Sequence, residues 1–160
     1  MNIGEVCIHD IATCVRSATL REIAKVMRDR HVGNVVVVEP VDGEVLPVGI
    51  VTDRDLVVCV IAAGRDAGAL TAGEAMHSPV ASVLESESVH HAIECMGTLG
   101  VSRLPVVDHH GHLTGIISAS EIVALLGREL GEIGRISPHR IELEQAAAPA
   151  PGPCHWPPRQ

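Results

Sequence analysis

The sequence predicts an α/β protein made of two tandem copies of one unit, each running strand, helix, strand, strand, helix. Three observations carry this. Gly4-Glu5 reappears as Gly73-Glu74, and at that spacing Ala12 meets Ala81, Ser17 meets Ser86, Met27 meets Met96 and Val37-Val38 meets Val106-Val107. Self-similarity at a fixed spacing marks a duplicated structural unit. The apolar pattern also switches between helical spacing and short continuous runs twice, in the same order. Finally, apolar residues make up 46% of the chain, enough for a core, yet neither half could bury much surface alone. The two halves are therefore expected to pack on each other.

Each element has its own signal. A short strand falls near Thr13 to Arg16. Leu20, Ile23, Ala24 and Met27 have helical spacing behind a Thr19-x-x-Glu22 capping box. Val35 to Val38 reads as a buried strand, Asp42-Gly43 as a turn and Val48 to Val51 as the returning strand. A second helix starts near Asp53, with Leu56, Val57 and Val60 toward the core. The second copy repeats the series: a strand at Ala81 to Glu85, a helix with Val89, Ala92, Ile93 and Met96, and a strand at Leu104 to Val107. A turn at His110-Gly111, a strand at Thr114 to Ile117 and a helix with Ile122, Val123 and Leu126 complete it. The register holds without a gap from Gly4 to Glu39. It shortens before Gly49 meets Gly115, in the turns, where length changes belong. The first repeat thus covers 1–69 and the second 70–130. Residues 131–160 form a C-terminal extension. Its first part is expected to prolong the last helix weakly, against Gly134 and Pro138, and the Ala/Pro-rich tail from about 146 is expected to be disordered.

Composition narrows the function. A formal net charge of -8 argues against broad binding to nucleic acid or a membrane surface, which need a positive footprint. The chain has no Phe or Tyr, and its single Trp is Trp156 near the tail. Stacking platforms for single strands are thereby disfavoured, and a bound base would lie between aliphatic side chains. Cys7, Cys14, Cys59, Cys95 and Cys154 are odd in number and scattered, with no CxxC. That pattern fits a reducing compartment, so a cytoplasmic location is expected. The first residues show no basic region followed by an apolar stretch, so no secretory leader is expected. The longest apolar run, Leu56 to Ala63, is too short to span a bilayer.

The most informative segment is Gly49-Ile50-Val51-Thr52-Asp53-Arg54-Asp55. A glycine-containing strand runs into a helix whose first turn carries a hydroxyl and a carboxylate. A helix start offers backbone N–H groups suited to phosphate. Thr52 can add a hydroxyl donor, Arg54 a charge, and Asp55 can accept both hydroxyls of a ribose. Thr52-x-x-Asp55 is equally a helix cap that needs no ligand, and on spacing alone the cap is the simpler reading. The second copy, Gly115-Ile116-Ile117-Ser118-Ala119-Ser120-Glu121, fits a Ser-x-x-Glu cap even better.

Two copies of a unit that each end in this motif resemble a pair of CBS domains, a Bateman module. GIVTDRDL from Gly49 to Leu56 is similar to that family's commonest form, and Val101-Ser102-Arg103-Leu104-Pro105-Val106-Val107-Asp108 matches a second family motif. The resemblance covers about residues 1–128. Residues 62–66 and 71–74 narrow it to small stand-alone bacterial pairs, some of them stress-induced. It implies two clefts between pseudo-two-fold-related repeats, each able to hold AMP, ADP, ATP, NAD or S-adenosylmethionine as a regulatory ligand. It implies no catalysis, a homodimer and an unidentified downstream protein. Carried over, the first cleft has Thr52 and Arg54 with phosphate, Asp55 with ribose and Ile50 beside the base, and Ser88, Ser102 and Arg103 come from the second repeat. The mirror cleft has Ile116, Ser118 and Glu121 with Thr19 and Asn34. Glu121 in place of Asp, and Asn34 where the other repeat has Arg103, weaken it.

Other residues have simpler readings. His109-His110-Gly111-His112 reads as a solvated turn, because three histidines in a tight turn rarely converge on a metal without a fixed fourth ligand. His90-His91 reads as an exposed helix face. Cys14 and Cys95 read as small buried hydrophobes. No nucleophile–base–orienter set, GxSxG, HExxH or Walker loop is present. Two rival functions stay open: an interaction module with empty clefts, and a metal- or thiol-based stress sensor.

Overall fold

The structure is a computed structural model, and it describes residues 1–147, with side chains through residue 136. The expected disordered tail lies, from residue 148, outside the described residues.

The first repeat holds β1 (Thr13–Val15), α1 (Leu20–Arg30), β2 (Asn34–Val41), β3 (Glu44–Thr52) and α2 (Asp53–Leu56), which continues as a wider π-helical turn over Val57–Ala62. A short helix, α3 (Ala72–Ala75), opens the second repeat. It is followed by β4 (Val83–Leu84), α4 (Val89–Leu99), β5 (Arg103–Val107), β6 (Leu113–Ser118) and α5 (Ala119–Ala147). Each repeat makes a three-stranded sheet, β1-β2-β3 and β4-β5-β6, with the outer pair parallel and the hairpin antiparallel. The β2–β3 hairpin is longer than Val35–Val38 and Val48–Val51 suggested, since its ladder runs out to Val41 and Glu44 at the Asp42-Gly43 turn. Both hairpins shift register at the same place, between Val37 and Val38 and between Val106 and Val107. The duplication therefore extends to the irregularities.

Local chemistry explains the helix ends. Thr19 accepts from the Glu22 N–H while the Glu22 carboxylate takes the Thr19 N–H at 2.8 Å, which is the capping box read from sequence. These bonds hold the Glu22 carboxyl below the usual carboxylate range, and the same cap of Thr71 does so for Glu74. Helices α1 and α4 both end on a left-handed residue, His31 (φ 54°) and Gly100 (φ 67°). Glycine takes that conformation freely; histidine takes it at a cost.

The apolar stripes differ from expectation at five positions. Ala24 and Ile93, equivalent in the two repeats, are exposed, and α1 instead buries Leu20, Ile23 and Met27. Val57 and its equivalent Val123 are also exposed, as is Leu126. On the second helix Asp55 and Leu56 turn inward, so the core-facing partners are Cys59 and Val60, three and four residues beyond Leu56. Val57 sits a further ~100° around the helix.

Each repeat is completed by the segment that precedes the other. Ile3, Val6 and Cys7 join the second repeat's core with Val83, Ala92, Met96, Leu104 and Ile117, and Ile3 is fully buried. Leu70, Ala72, Ala75 and Met76 join the first repeat's core with Leu20, Ile23, Val35 and Val51. Backbone bonds tie both exchanges: the Gly4 N–H to the Glu85 carbonyl, and the Gly73 N–H to the Arg16 carbonyl, each at 2.9 Å. A third cluster unites Val36, Val38 and Ile50 with Ile116, so the two sheets share a core as expected.

The motif glycines belong to this exchange. A Cβ at Gly49 would stand 2.3 Å from the Met76 sulfur, and one at Gly115 would stand 2.5 Å from the Cys7 sulfur. Glycine is required there because the crossing segment packs flat on the strand. One compact unit, Met1–Ile122, holds both repeats, and a second begins at Val123. In the second, α5 continues through Gly127, Gly131 and Gly134, further than the weak extension expected, with Val123, Leu126, Leu130 and Ile133 exposed along one helix face.

Candidate functional site

Two clefts open where the C-terminal end of one repeat's first helix meets the start of the other repeat's second helix. The first, of about 380 Å³, is lined by Ile50, Thr52, Asp53 and Arg54, by His77, and by Gly100, Val101, Ser102 and Arg103. The second, of about 350 Å³, includes Ile116, Ser118, Ser120 and Glu121, then Ile8, then His31, Val32, Gly33 and Asn34. Most of these positions are equivalent under the repeat: Ile50 with Ile116, Thr52 with Ser118, His77 with Ile8 and Arg103 with Asn34. The clefts are a pseudo-two-fold pair made by the duplication.

The first cleft brings Ile50, Thr52, Arg54, Ser102 and Arg103 together as expected from the sequence. Asp55 does not line it but stands buried behind its wall, in contact with two residues that do, Thr52 and His77. Its Oδ2 accepts from the Thr52 N–H and Oγ1–H, both at 2.7 Å, and its Oδ1 lies 2.9 Å from His77 Nε2. The second cleft holds Asn34, Ile116, Ser118 and Glu121. Glu121 accepts from the Ser118 N–H at 2.8 Å, and the Ser118 hydroxyl pairs with that of Ser120.

Two expected contributors are elsewhere. Ser88 caps α4, accepting from the His91 N–H, and Thr19 caps α1. Helices of eleven residues are about 16 Å long, and the clefts form at their far ends, beside His31 and Gly100. Thr19 and Ser88 instead sit where the exchanged segments dock, bridged to Thr71 and Asn2.

The expected free N–H groups at the start of α2 are also taken. The Asp53 N–H donates to the Gly33 carbonyl, the Arg54 N–H to Asp53 Oδ1 and the Asp55 N–H to Thr52 Oγ1. The Thr52 hydroxyl is thus committed to the cap. Cleft charge comes instead from guanidinium groups: among the described residues, neither Arg54 nor Arg103 has a carboxylate within ion-pair distance. Arg103 lines the second cleft as well, so that cleft has a cation despite Asn34.

Sequence reasoning missed His77 and Ile8. The signal was there, because they are equivalent residues in the leading segment of each repeat. Each pairs antiparallel with the motif strand of the opposite repeat, Ile50 with His77 and Ile116 with Ile8.

Cys14 and Cys95 are only partly buried, and the Cys95 Sγ lies 3.4 Å from His91 Nε2. Burial pushes the Cys14 thiol up to about 11 and also raises Cys7. In the β5–β6 turn the Asp108 carboxylate accepts the His110 and His112 N–H groups at 2.8 Å. Among the described residues, no three His, Cys, Asp or Glu side chains are grouped to hold a metal, and no helix is long and apolar enough to cross a membrane.

A duplicated strand–helix–strand–strand–helix unit with an intervening pair of clefts defines the class, and family comparison agrees. The CBS domain model matches residues 3–61 and 72–128, and the chain belongs to that family. It is 37% identical to an uncharacterised protein of Methanopyrus kandleri over 77% of this chain, but spans only 61% of that relative's length. It is 31% identical to hypoxic response protein 1 of Mycobacterium tuberculosis, over 76% of this chain and 78% of that one. Among solved structures it resembles a CBS domain protein of Pyrobaculum aerophilum complexed with AMP, with TM-score 0.68 and 26% identity over 76% of this chain and 89% of that one.

Proposed function

We propose that this chain is a non-catalytic regulatory module that binds an adenine nucleotide in the Asp55 cleft and signals through the arrangement of its two repeats. One observation carries the reading: two guanidinium groups without carboxylate partners among the described residues, Arg54 and Arg103, border a cleft backed by a buried carboxylate in a chain of net charge -8. Arg54 and Arg103 take the phosphates by charge-assisted bonds. Asp55 takes the ribose hydroxyls, with Thr52 fixing its orientation. Ile50 and Val101 flank the base, and Ser102 adds a hydroxyl. The AMP complex of the Pyrobaculum relative supports this ligand class. The mirror cleft, with Asn34, Ile116, Ser118 and Glu121, binds more weakly, because a longer carboxylate and a shared arginine serve it.

The functional unit is residues 1–69 and 70–130, two repeats that exchange their leading segments. A ligand touching both repeats favours one arrangement of them over others, which is what signalling requires. The exposed apolar positions Val57, Val58 and Ile61 provide a surface for a homodimer, with a downstream protein as reader. The setting is cytoplasmic, in a stress response, in keeping with the hypoxic response relative.

A second reading has its own observation. The Thr52–Asp55 cap is complete without a ligand, as an interaction module with empty clefts would have it. Thermal unfolding with millimolar AMP, ADP, ATP, NAD or S-adenosylmethionine separates the two. Ligand at 100 times its dissociation constant stabilises by about 2.7 kcal/mol, so a raised midpoint supports the sensor. No rise with any of them supports the interaction module.

A further inference from the structure

We infer that His77 is a proton-sensitive latch on the first cleft, holding the carboxylate oxygen that a ribose needs and setting how ligand affinity varies with pH. This rests on the nucleotide reading above.

Asp55 has two oxygens with different duties. Oδ2 is committed to the cap by two bonds from Thr52. Oδ1 takes no bond from the cap, and His77, which lines the cleft, occupies it through Nε2 at 2.9 Å. A cis-diol can donate to Oδ1 only by displacing the imidazole.

The imidazole is built to leave. The His77 backbone is pinned, its N–H donating to the Ile50 carbonyl at 3.0 Å and its carbonyl accepting from the Ile50 N–H at 3.3 Å. Its side chain is 70% exposed, against 12% for Asp55. It can rotate into solvent without unpairing the strand or opening the core.

The mirror cleft is the internal control. Ile8 is pinned in the same way to Ile116, with both bonds at 2.9 Å, but carries no donor. Among the described residues no imidazole bonds to Glu121 there, although His31 lines the same cleft. The latch is a property of one cleft and one residue.

The sign of the pH effect follows. A neutral imidazole donates one hydrogen bond to the Asp55 carboxylate, while an imidazolium adds the attraction of opposite charges to that bond. Protonation of His77 therefore strengthens the latch against the ribose. The other charged groups around the cleft are Asp53 and Arg54 at the start of α2, and Arg103 at the start of β5. Ile50, Thr52, Gly100, Val101 and Ser102 are uncharged, and both arginines stay charged.

The test is titration of AMP into wild type, His77→Ile and Asp55→Asn at pH 8.0 and pH 5.5, repeated with 2′-deoxy-AMP. His77→Ile installs the mirror cleft's own residue at a largely exposed side chain. It is expected to bind AMP about three- to tenfold more tightly at pH 5.5, with a smaller gain at pH 8.0. The phosphate's own titration is common to both proteins and cancels in their ratio. The gain is expected to shrink with 2′-deoxy-AMP, which lacks the cis-diol. Equal or weaker AMP binding by His77→Ile, with an unchanged wild-type-to-variant ratio across pH, overturns the latch while leaving the nucleotide reading intact if Asp55→Asn binds less well. No AMP binding by any of the three overturns both.

Discussion

Gly49 and Gly115 show how a single residue serves the exchange between repeats. Both sit in the motif strand, and in the structure each makes room for a crossing side chain, Met76 or Cys7. Gly115→Ala places its Cβ against the Cys7 sulfur and is expected to destabilise by about 1–3 kcal/mol, as overpacking does. Cys7→Ala is expected to recover much of that loss in the double variant, because it removes the atom that clashes at 2.5 Å. Urea unfolding of the four proteins in the cycle measures the coupling. The site residues on the motif strands were legible because their chemistry is local: Thr52 lies three residues from Asp55, and Ser118 from Glu121. Ser88 and Thr19 were misplaced because a one-dimensional pattern does not say which end of a helix meets a cleft. His77 was missed because its value lies in its antiparallel pairing with Ile50, a contact far apart in sequence.

Elements were read well wherever capping and periodicity agree. Thr19 with Glu22 gave the start of α1, and Asp42-Gly43 gave the β2–β3 turn, where both residues have positive φ. The phase of α2 was harder. Leu56 with Val57 or with Cys59 satisfies the same spacing, and only the buried Asp55 decides between them. Two expectations belong at this scale. His31→Gly removes a side chain from a left-handed cap and is expected to raise stability by about 0.5–1 kcal/mol, seen as a higher thermal midpoint. Cap carboxylates also set the acid response. Glu22, Glu74 and Asp108 are held below their ordinary values: Glu22 and Glu74 chiefly by the N–H and hydroxyl of Thr19 and Thr71, Asp108 by bonds from His112 and His110 that outweigh its desolvation. Their folded-state values are the lower ones. Their contribution is thus full above the ordinary carboxylate range, about 3.9–4.3, and is lost as pH falls through the depressed values. Thermal midpoints are expected to fall from about pH 4.5 downward, and less steeply once Glu22 and Glu74 are both changed to Gln.

At the scale of the whole molecule, the duplication was plain in the sequence but the exchange of leading segments was not. It depends on Ile3 filling the second repeat and Leu70 with Ala72 filling the first. The exchange makes residues 1–122 one compact unit rather than two beads. Ile3→Ala is expected to cost about 2–4 kcal/mol and to lower a single unfolding transition rather than split it in two. The same arrangement places both clefts between repeats, so a ligand in either touches both. The central claim is that the Asp55 cleft takes an adenine nucleotide. Isothermal titration of AMP into wild type, Asp55→Asn and Glu121→Gln at neutral pH tests it most directly. The expected result is saturable binding, weakened at least about tenfold by Asp55→Asn, the effect of losing one charge-assisted bond, and changed less by Glu121→Gln. No binding by wild type, or equal affinity in wild type and Asp55→Asn, would contradict it.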